Sequence, residues 1–286
     1  MATSSVSNRI FLVGCPRSGT TLLQCLLAAN SQLVSFPETH FYERMVSGRK
    51  LTRALGIAPR RARRYWRMFL EDIGHSEMRS FLPAYAIFVS QYSAAYVRIL
   101  DKLCLEQGRS MWLEKTPGHL RRIPYIQRLI PGARFVHILR NGEDAIASMF
   151  HVATRYAESW APWYGTLDQC IDRWTRDIQI SQSCAGQPNH KLVRYEELIR
   201  DPQKVLNELC AFVGIPFEPS MLTEYAKRAD DLIQEGEAWK SSVRGPIWRE
   251  QPRRFREYLD EGQRQHVHAR VPGDLTRYLT PDPRSV

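Results

Sequence analysis

The sequence predicts one α/β domain, a central parallel sheet flanked by helices, with a helical insertion over about residues 43–108. Three observations carry this. Residues 10–29 read as a strand, a turn of small residues and a helix. Short apolar runs then alternate with helical stretches, as in a parallel sheet covered on both faces. The alternation breaks once, between 43 and 108. A chain of 286 residues, 43% of them hydrophobic, is long enough to bury one such core, and the single domain is expected to span 1–286.

In chain order, residues 10–13 fit a buried strand, 14–21 a turn, and 21–30 a helix whose N-terminus faces a phosphate. Against the P-loop pattern GxxxxGK[ST], Gly14 and Gly19 hold the glycine positions and Thr21 the hydroxyl position. Thr20 stands where the lysine belongs, and Arg17, inside the loop, is the replacement cation. The fold is therefore read as P-loop NTPase-like. Residues 33–36 form a short strand running into Pro37-Glu38-Thr39-His40, which places Glu38 on the same sheet edge as the loop.

Residues 43–108 read as helices over the sheet edge, an acceptor-side cap, with arginines concentrated between 49 and 67 and aromatics throughout. The plainer alternative is a solvated basic face above an apolar stripe. A strand at 110–114 ends in Glu114-Lys115-Thr116-Pro117, and a helix at 123–130 stops at Pro131-Gly132. Residues 134–139 are the clearest interior strand and end in Arg140-Asn141-Gly142; a helix over 143–150 follows, acidic in its first turn as the dipole favours. After a Trp/Tyr-rich loop (156–164) come a helix (167–183), a strand (191–194) and a helix (204–213). A loop (236–248), a helix (251–265) and a polar tail finish the chain.

The net charge is +10, and of 40 basic residues only seven are lysines, so 33 are arginines. That bias suits bidentate recognition of phosphate or sulfate, with genomic base composition as the competing explanation. Six scattered cysteines lack CxxC spacing, so neither a zinc site nor a disulfide framework is indicated. No metal is expected. Residues 1–8 are polar and too short for a signal peptide, and no run of about 18 apolar residues exists, so no membrane span is expected and a reducing cytoplasm is the expected compartment.

Pro16-Arg-Ser-Gly-Thr-Thr21, Glu38, Lys115-Thr116-Pro117 and Arg140 with Ser148, in that order, resemble the sulfotransferases that use 3′-phosphoadenosine 5′-phosphosulfate (PAPS). The resemblance runs from about Arg9 to Trp248 and is weakest across 43–108. It is closest to the tyrosylprotein and bacterial types, which carry arginine in the first loop and a glutamate base. It implies that Arg17, Ser18, Gly19, Thr20 and Thr21 hold the 5′-phosphosulfate, and that Arg140 and Ser148 hold the 3′-phosphate. Lys115 is implied to contact the transferring sulfonate, against an ion pair with Glu114. Arg194-Tyr195-Glu-Glu-Leu-Ile-Arg-Asp-Pro202 resembles the family's RYEDLxxDP segment, with Tyr195 beside the adenine or the 3′-phosphate end, or simply packed. Trp248-Arg249 resembles the tryptophan-basic pair after the late cofactor loop. The chain departs from the small-phenol enzymes, which have a loop lysine, a histidine base and an Arg-Lys-Gly cofactor loop. Ser242 and Arg244 stand near the position of that loop.

The chemistry agrees. A phosphosulfate needs cations at the sulfonate and bridging oxygen but no metal-bridged γ-phosphate, so the missing lysine and missing acidic metal motif fit it better than a triphosphate. Arg17 is placed to stabilise charge on the bridging oxygen, a role whose loss costs about 10²–10³ in rate; the bland alternative is packing against the loop. An attacking hydroxyl or amine must lose a proton, so a carboxylate or histidine must lie within reach; the resemblance implies Glu38 as the base, with His40 and His119 as alternatives. The expected activity is sulfonyl transfer from PAPS, leaving 3′,5′-bisphosphate (PAP), to a small-molecule, glycan or peptide acceptor. A lysine-free P-loop kinase or hydrolase is the second reading. A nucleic-acid binder using the 49–67 arginines is the third, but no nucleic-acid module is recognisable and no such partner is expected.

Overall fold

The computed structural model describes residues 5–247 and 254–280. Its five strands are β1 (Asn8–Gly14), β2 (Leu33–Phe36), β3 (Met111–Lys115), β4 (Arg134–Leu139) and β5 (His190–Arg194). They form one parallel sheet in the order β2-β3-β1-β4-β5. The five strands expected from the sequence are all present, and their ends differ by no more than about two residues, the usual play in strand boundaries.

Side chains alternate across the sheet and so divide the core. Phe11, Val13, Trp112 and Phe135 point to one face, where the helices Ala62–Asp72, Val89–Glu106 and Ile123–Leu129 cover them. Ile10, Leu12, Leu113, Val136 and Ile138 point to the other, beneath Thr20–Ala28, Pro202–Val213 and Tyr225–Leu232. A third cluster joins Gly142–Arg155, Leu167–Ser183 and the C-terminal helices around Trp174. Among the described residues no helix is long and apolar enough to cross a membrane.

The structure differs from the sequence reading in five places, the expected polar tail being one: beyond 265 the chain continues the helix Glu261–Arg270, adds Thr276–Leu279, and buries Val267, Val271, Leu275 and Leu279. The 43–108 stretch does not cap the sheet edge. Its two longer helices put Trp66, Phe69, Tyr92 and Tyr96 onto a sheet face, and Arg60, Arg61, Arg63, Arg64 and Arg67 stay in solvent. Residues 156–164 are mostly helical (Ala157–Tyr164) despite Pro162; the chain passes from Gly142–Arg155 through Tyr156 into a second helix, and the Trp160 N–H bonds back to the Tyr156 carbonyl at 3.0 Å. The expected loop at 236–248 contains a 3₁₀ segment, Ala238–Arg244. The helix expected over 251–265 is two helices, Arg254–Tyr258 and Glu261–Arg270, divided where Asp260 caps the second by accepting the Gln263 N–H at 2.8 Å.

Candidate active site

Because β1 lies between β3 and β4, the loop after it opens between the carboxyl ends of both neighbours. Gly14 approaches β4 so closely that a Cβ there would lie 2.5 Å from the Ile138 carbonyl oxygen. Gly19 takes φ +91 and supports the Tyr195 ring where a Cβ would stand, 2.3 Å from ring carbon. Among the described residues the only non-glycines with left-handed backbone are Arg17 (φ 68) and His40 (φ 49), and both lie here. Such conformations are held by their surroundings and concentrate at functional sites. Helix Thr20–Ala28 begins on Gly19 with no side chain capping its first turn, leaving N–H groups for an anion.

Three guanidiniums meet at this loop. Arg17 Nε donates to Ser148 Oγ at 3.2 Å, Arg254 donates to the same oxygen at 3.3 Å, and Arg140 donates to the Arg17 carbonyl at 2.9 Å. Burial, with Arg254 and Arg140 close by, pulls the Arg17 guanidinium down to about 10. Arg140 lies over the Tyr195 ring at 4.8 Å, and Asp144 is 3.8 Å from its guanidinium. Its backbone is fixed from two sides: Trp174 Nε1 donates to the Arg140 carbonyl at 3.1 Å, and buried Glu196 accepts the Asn141 N–H at 2.8 Å. The Tyr195-Glu-Glu segment thus braces the turn after β4. Asp144 accepts the Phe255 N–H at 3.3 Å, which ties Arg254 to the cluster.

The opposite wall holds the carboxylate. Lys115 Nζ donates to Glu38 Oε1 at 2.5 Å and lies 3.5 Å from Thr21 Oγ1, so a cation absent from the loop arrives from β3. Lys240 Nζ donates to the same Glu38 oxygen at 2.6 Å. His40 Nε2 is 3.6 Å from Oε2. Burial alone would raise the Glu38 carboxyl, but Lys115, Lys240 and His40 hold it well below the ordinary carboxylate range. Burial pulls Lys115 down, while Glu38 and Glu237 outweigh burial and raise Lys240.

Lys115 is not paired with Glu114, because successive strand residues point to opposite faces. Glu114 faces the other layer, where Thr39 and Thr116 hydroxyls (2.8 and 2.5 Å) and His119 Nδ1 (2.8 Å) meet it. His119 Nε2 accepts the Tyr42 N–H at 3.0 Å, and both residues are buried, so His119 belongs to the support of the 37–40 turn. That removes it as a base. Ser242 lines the cavity, whereas Arg244 reaches Asp230 at 2.8 Å, outside the lining. Trp248-Arg249 lies outside the described residues. Lys240 and Arg254 escaped the sequence reading. Lys240 left no signal of its own, being one of seven lysines spread along the chain.

These walls enclose a cavity of about 1140 Å³. Beyond Glu38 it extends along Trp160, Trp163, Tyr164 and Trp239, with Arg121, Arg122 and Arg176 at its rim. The arginine end suits a phosphorylated nucleotide. Cations converge there, the first helical turn is uncapped, and buried Ser18 Oγ has no hydrogen-bond partner among the described residues. The carboxylate end suits proton transfer.

The profile described as the Sulfotransferase family matches residues 9–219. The chain is 25% identical over 216 residues to protein-tyrosine sulfotransferase 2 of Gallus gallus, covering 74% of this chain and 53% of that protein. It spans 31% to 55% of the first curated relatives it matches. The sulfotransferase domain of the Synechococcus PCC 7002 olefin synthase superposes with TM-score 0.58 at 19% identity, over 94% of this chain and 96% of that one. Mouse sulfotransferase SULT7A1, solved in complex with PAP, gives 0.50 at 16% identity over 96% and 90%. Both share the fold. With the family's profile matched across the loop, the strand ends and the arginine–serine pair, the chain belongs to the sulfotransferase family.

Proposed function

We propose that the protein transfers a sulfonyl group from PAPS to a hydroxyl or amine by in-line displacement. The observation that carries this is the opposition, across one cavity, of an arginine cluster (Arg17 and Arg254 on Ser148, Arg140 on the Arg17 carbonyl) and an ionised glutamate held by Lys115. Arg17, Ser18, Gly19, Thr20 and Thr21 would hold the phosphosulfate, and Arg140 with Ser148 the 3′-phosphate. Tyr195 supports both by packing under Arg140 and on Gly19. Bound there, PAPS supplies an activated sulfonate with a phosphate leaving group. Arg17 neutralises charge on the leaving oxygen and Lys115 charge on the sulfonate. Glu38 takes the proton from the attacking group. His40, 3.6 Å from Glu38 and donating toward Glu43, serves as a neighbour of the base.

The acceptor would lie against Trp160, Trp163 and Trp239, and Arg122 and Arg176 in the lining, with Arg121 already paired to Glu43, favour one carrying negative charge. A tyrosine-bearing peptide is supported by the names of the curated relatives, and small molecules and glycans fit the same open cavity.

Calorimetry with 3′,5′-adenosine bisphosphate, and transfer from sulfur-labelled PAPS to an acceptor panel, test the reading. Binding below millimolar and transfer unaffected by EDTA are expected; no binding, or magnesium-dependent ATP turnover instead, overturns it. Arg140→Ala is expected to weaken the bisphosphate about 10- to 100-fold, as for a lost charge-assisted hydrogen bond, and to leave adenosine 5′-phosphosulfate binding unchanged. An equal loss for both ligands would refute the assignment of Arg140.

A further inference from the structure

Lys240 lies in the 3₁₀ segment Ala238–Arg244, about 200 residues from Glu38 in sequence. The segment is fastened without it: the Tyr225 hydroxyl donates to the Gly245 carbonyl at 2.7 Å, Arg244 pairs with Asp230, and Trp239 packs edge-on against Tyr156 and Trp160. The Lys240 ammonium is buried, and lysines are seldom buried unpaired. It already has a carboxylate partner in Glu237, three residues earlier, at the residue preceding the segment. Its second bond, to Glu38, is therefore not needed to neutralise Lys240 or to hold the segment down.

What the second bond does is visible at Glu38. Lys115 and Lys240 both bind Oε1. Oε2 accepts no hydrogen bond among the described residues, and His40 Nε2 lies 3.6 Å from it. Two ammoniums on one oxygen fix the carboxylate plane and leave the other oxygen to take a proton. The charged groups facing Glu38 are Lys115 from β3, Lys240 from the 3₁₀ segment and His40 from its own turn, with Glu237 behind Lys240 and Glu43 behind His40. If Lys115 turns to an incoming sulfonate, Glu38 would lose its closest partner, and a buried carboxylate without a cation is costly.

We infer that Lys240 is a positioning residue for the proton acceptor: it keeps hold of Glu38 Oε1 when Lys115 engages the donor, so that Glu38 stays ionised with Oε2 toward the attacking group. The inference rests on the reading of Glu38 as base.

Three measurements on Lys240→Met and Lys240→Arg test it. In Lys240→Met, kcat falls at least 30-fold while bisphosphate affinity and the donor KM stay within about twofold. The acid limb of its kcat/KM profile moves up by one pH unit or more, because burial then raises the Glu38 carboxyl with only one ammonium opposing it. Lys240→Arg keeps the charge and leaves the limb within about 0.3 units. The third readout needs no substrate: with δ-¹³C-labelled glutamate, the Glu38 carboxyl resonance, assigned by its loss in Glu38→Gln, titrates at higher pH in Lys240→Met than in the wild type. A parallel fall in bisphosphate affinity and kcat would make Lys240 a structural tie and overturn the inference. So would an unmoved pH limb and carboxyl signal. Failure of the sulfotransferase reading appears elsewhere, as a wild-type protein that neither binds bisphosphate nor transfers sulfonate.

Discussion

Arg17 is asked to do two unfavourable things. It adopts φ 68, which non-glycine residues take at a cost of about 1–3 kcal/mol, and it is buried beside two other guanidiniums. Asparagine tolerates left-handed backbone better and carries no charge. Arg17→Asn is therefore expected to stabilise the unliganded fold by about 1 kcal/mol in urea titrations while lowering transfer by about 10²–10³. A variant that loses both stability and activity would mean that Arg17 is packing rather than poised. Gly19 allows no such exchange. Gly19→Ala would set a Cβ 2.3 Å from the Tyr195 ring in a backbone region alanine avoids, and is expected to abolish bisphosphate binding measured by calorimetry. At this scale much of the site was legible: the spacing of Gly14, Gly19 and Thr21, and the polar residues at strand ends, pointed to Arg17, Glu38, Lys115 and Arg140. Lys240 was not legible, because only the folded chain brings it across some 200 residues to Glu38.

Among the elements, β4 and β5 bury a histidine pair whose pH behaviour can be worked out. Gln127 donates to His190 Nε2 at 3.1 Å, which leaves His190 Nδ1–H to donate to His137 Nε2 at 2.8 Å and His137 Nδ1–H to donate to Ser181 at 3.2 Å. The chain is complete with both rings neutral. Burial, helped by His190, lowers His137 to about 3, and burial also lowers His190. Below the ordinary value of 6.5 the unfolded chain takes up protons that the folded chain refuses, so stability falls as pH falls from 6.5 toward 3. The slope is up to about 1.4 kcal/mol per pH unit for each histidine. Urea midpoints at pH 7.5 and 5.5 should show the fall, and His137→Gln should make it shallower; an unchanged slope would mean that the pair accepts a proton in the fold. Elements were legible where periodicity was plain, as in 134–139 and 167–183. Residues 156–164 resemble a loop in sequence because of Pro162 and their clustered aromatics, and of the two readings of 43–108 the fold takes the plainer one, a solvated basic face above an apolar stripe whose Trp66 and Tyr96 decide where the helices pack.

For the whole molecule, like charges gathered at one end of a cavity predict a fold tightened by its ligand. Bisphosphate at a hundredfold excess over its Kd should add about 2.7 kcal/mol to unfolding, seen as a rise of several degrees in the melting midpoint. The rise should shrink in high salt, which screens the cluster before the ligand arrives. No shift at any concentration would count against the arginine cluster as the nucleotide site. The fold class was legible in the sequence because strand and helix alternate regularly. The strand order was not, since short apolar strands do not name their neighbours; register emerges only from packing.

The central place of β1 also has a meaning in time. This strand leaves the ribosome first among the five, yet its partners β3 and β4 begin about 100 and 120 residues later in the chain. Until β3 exists it has no neighbour to pair with, and until β4 exists one of its edges stays open and the loop it carries lacks the Ile138 and Arg140 side of its brace. Closing contacts over such distances is slow compared with forming helices. The segment that defines the site is thus made early and finished late, and a chain stalled before β4 would display an apolar strand and an unformed loop to chaperones.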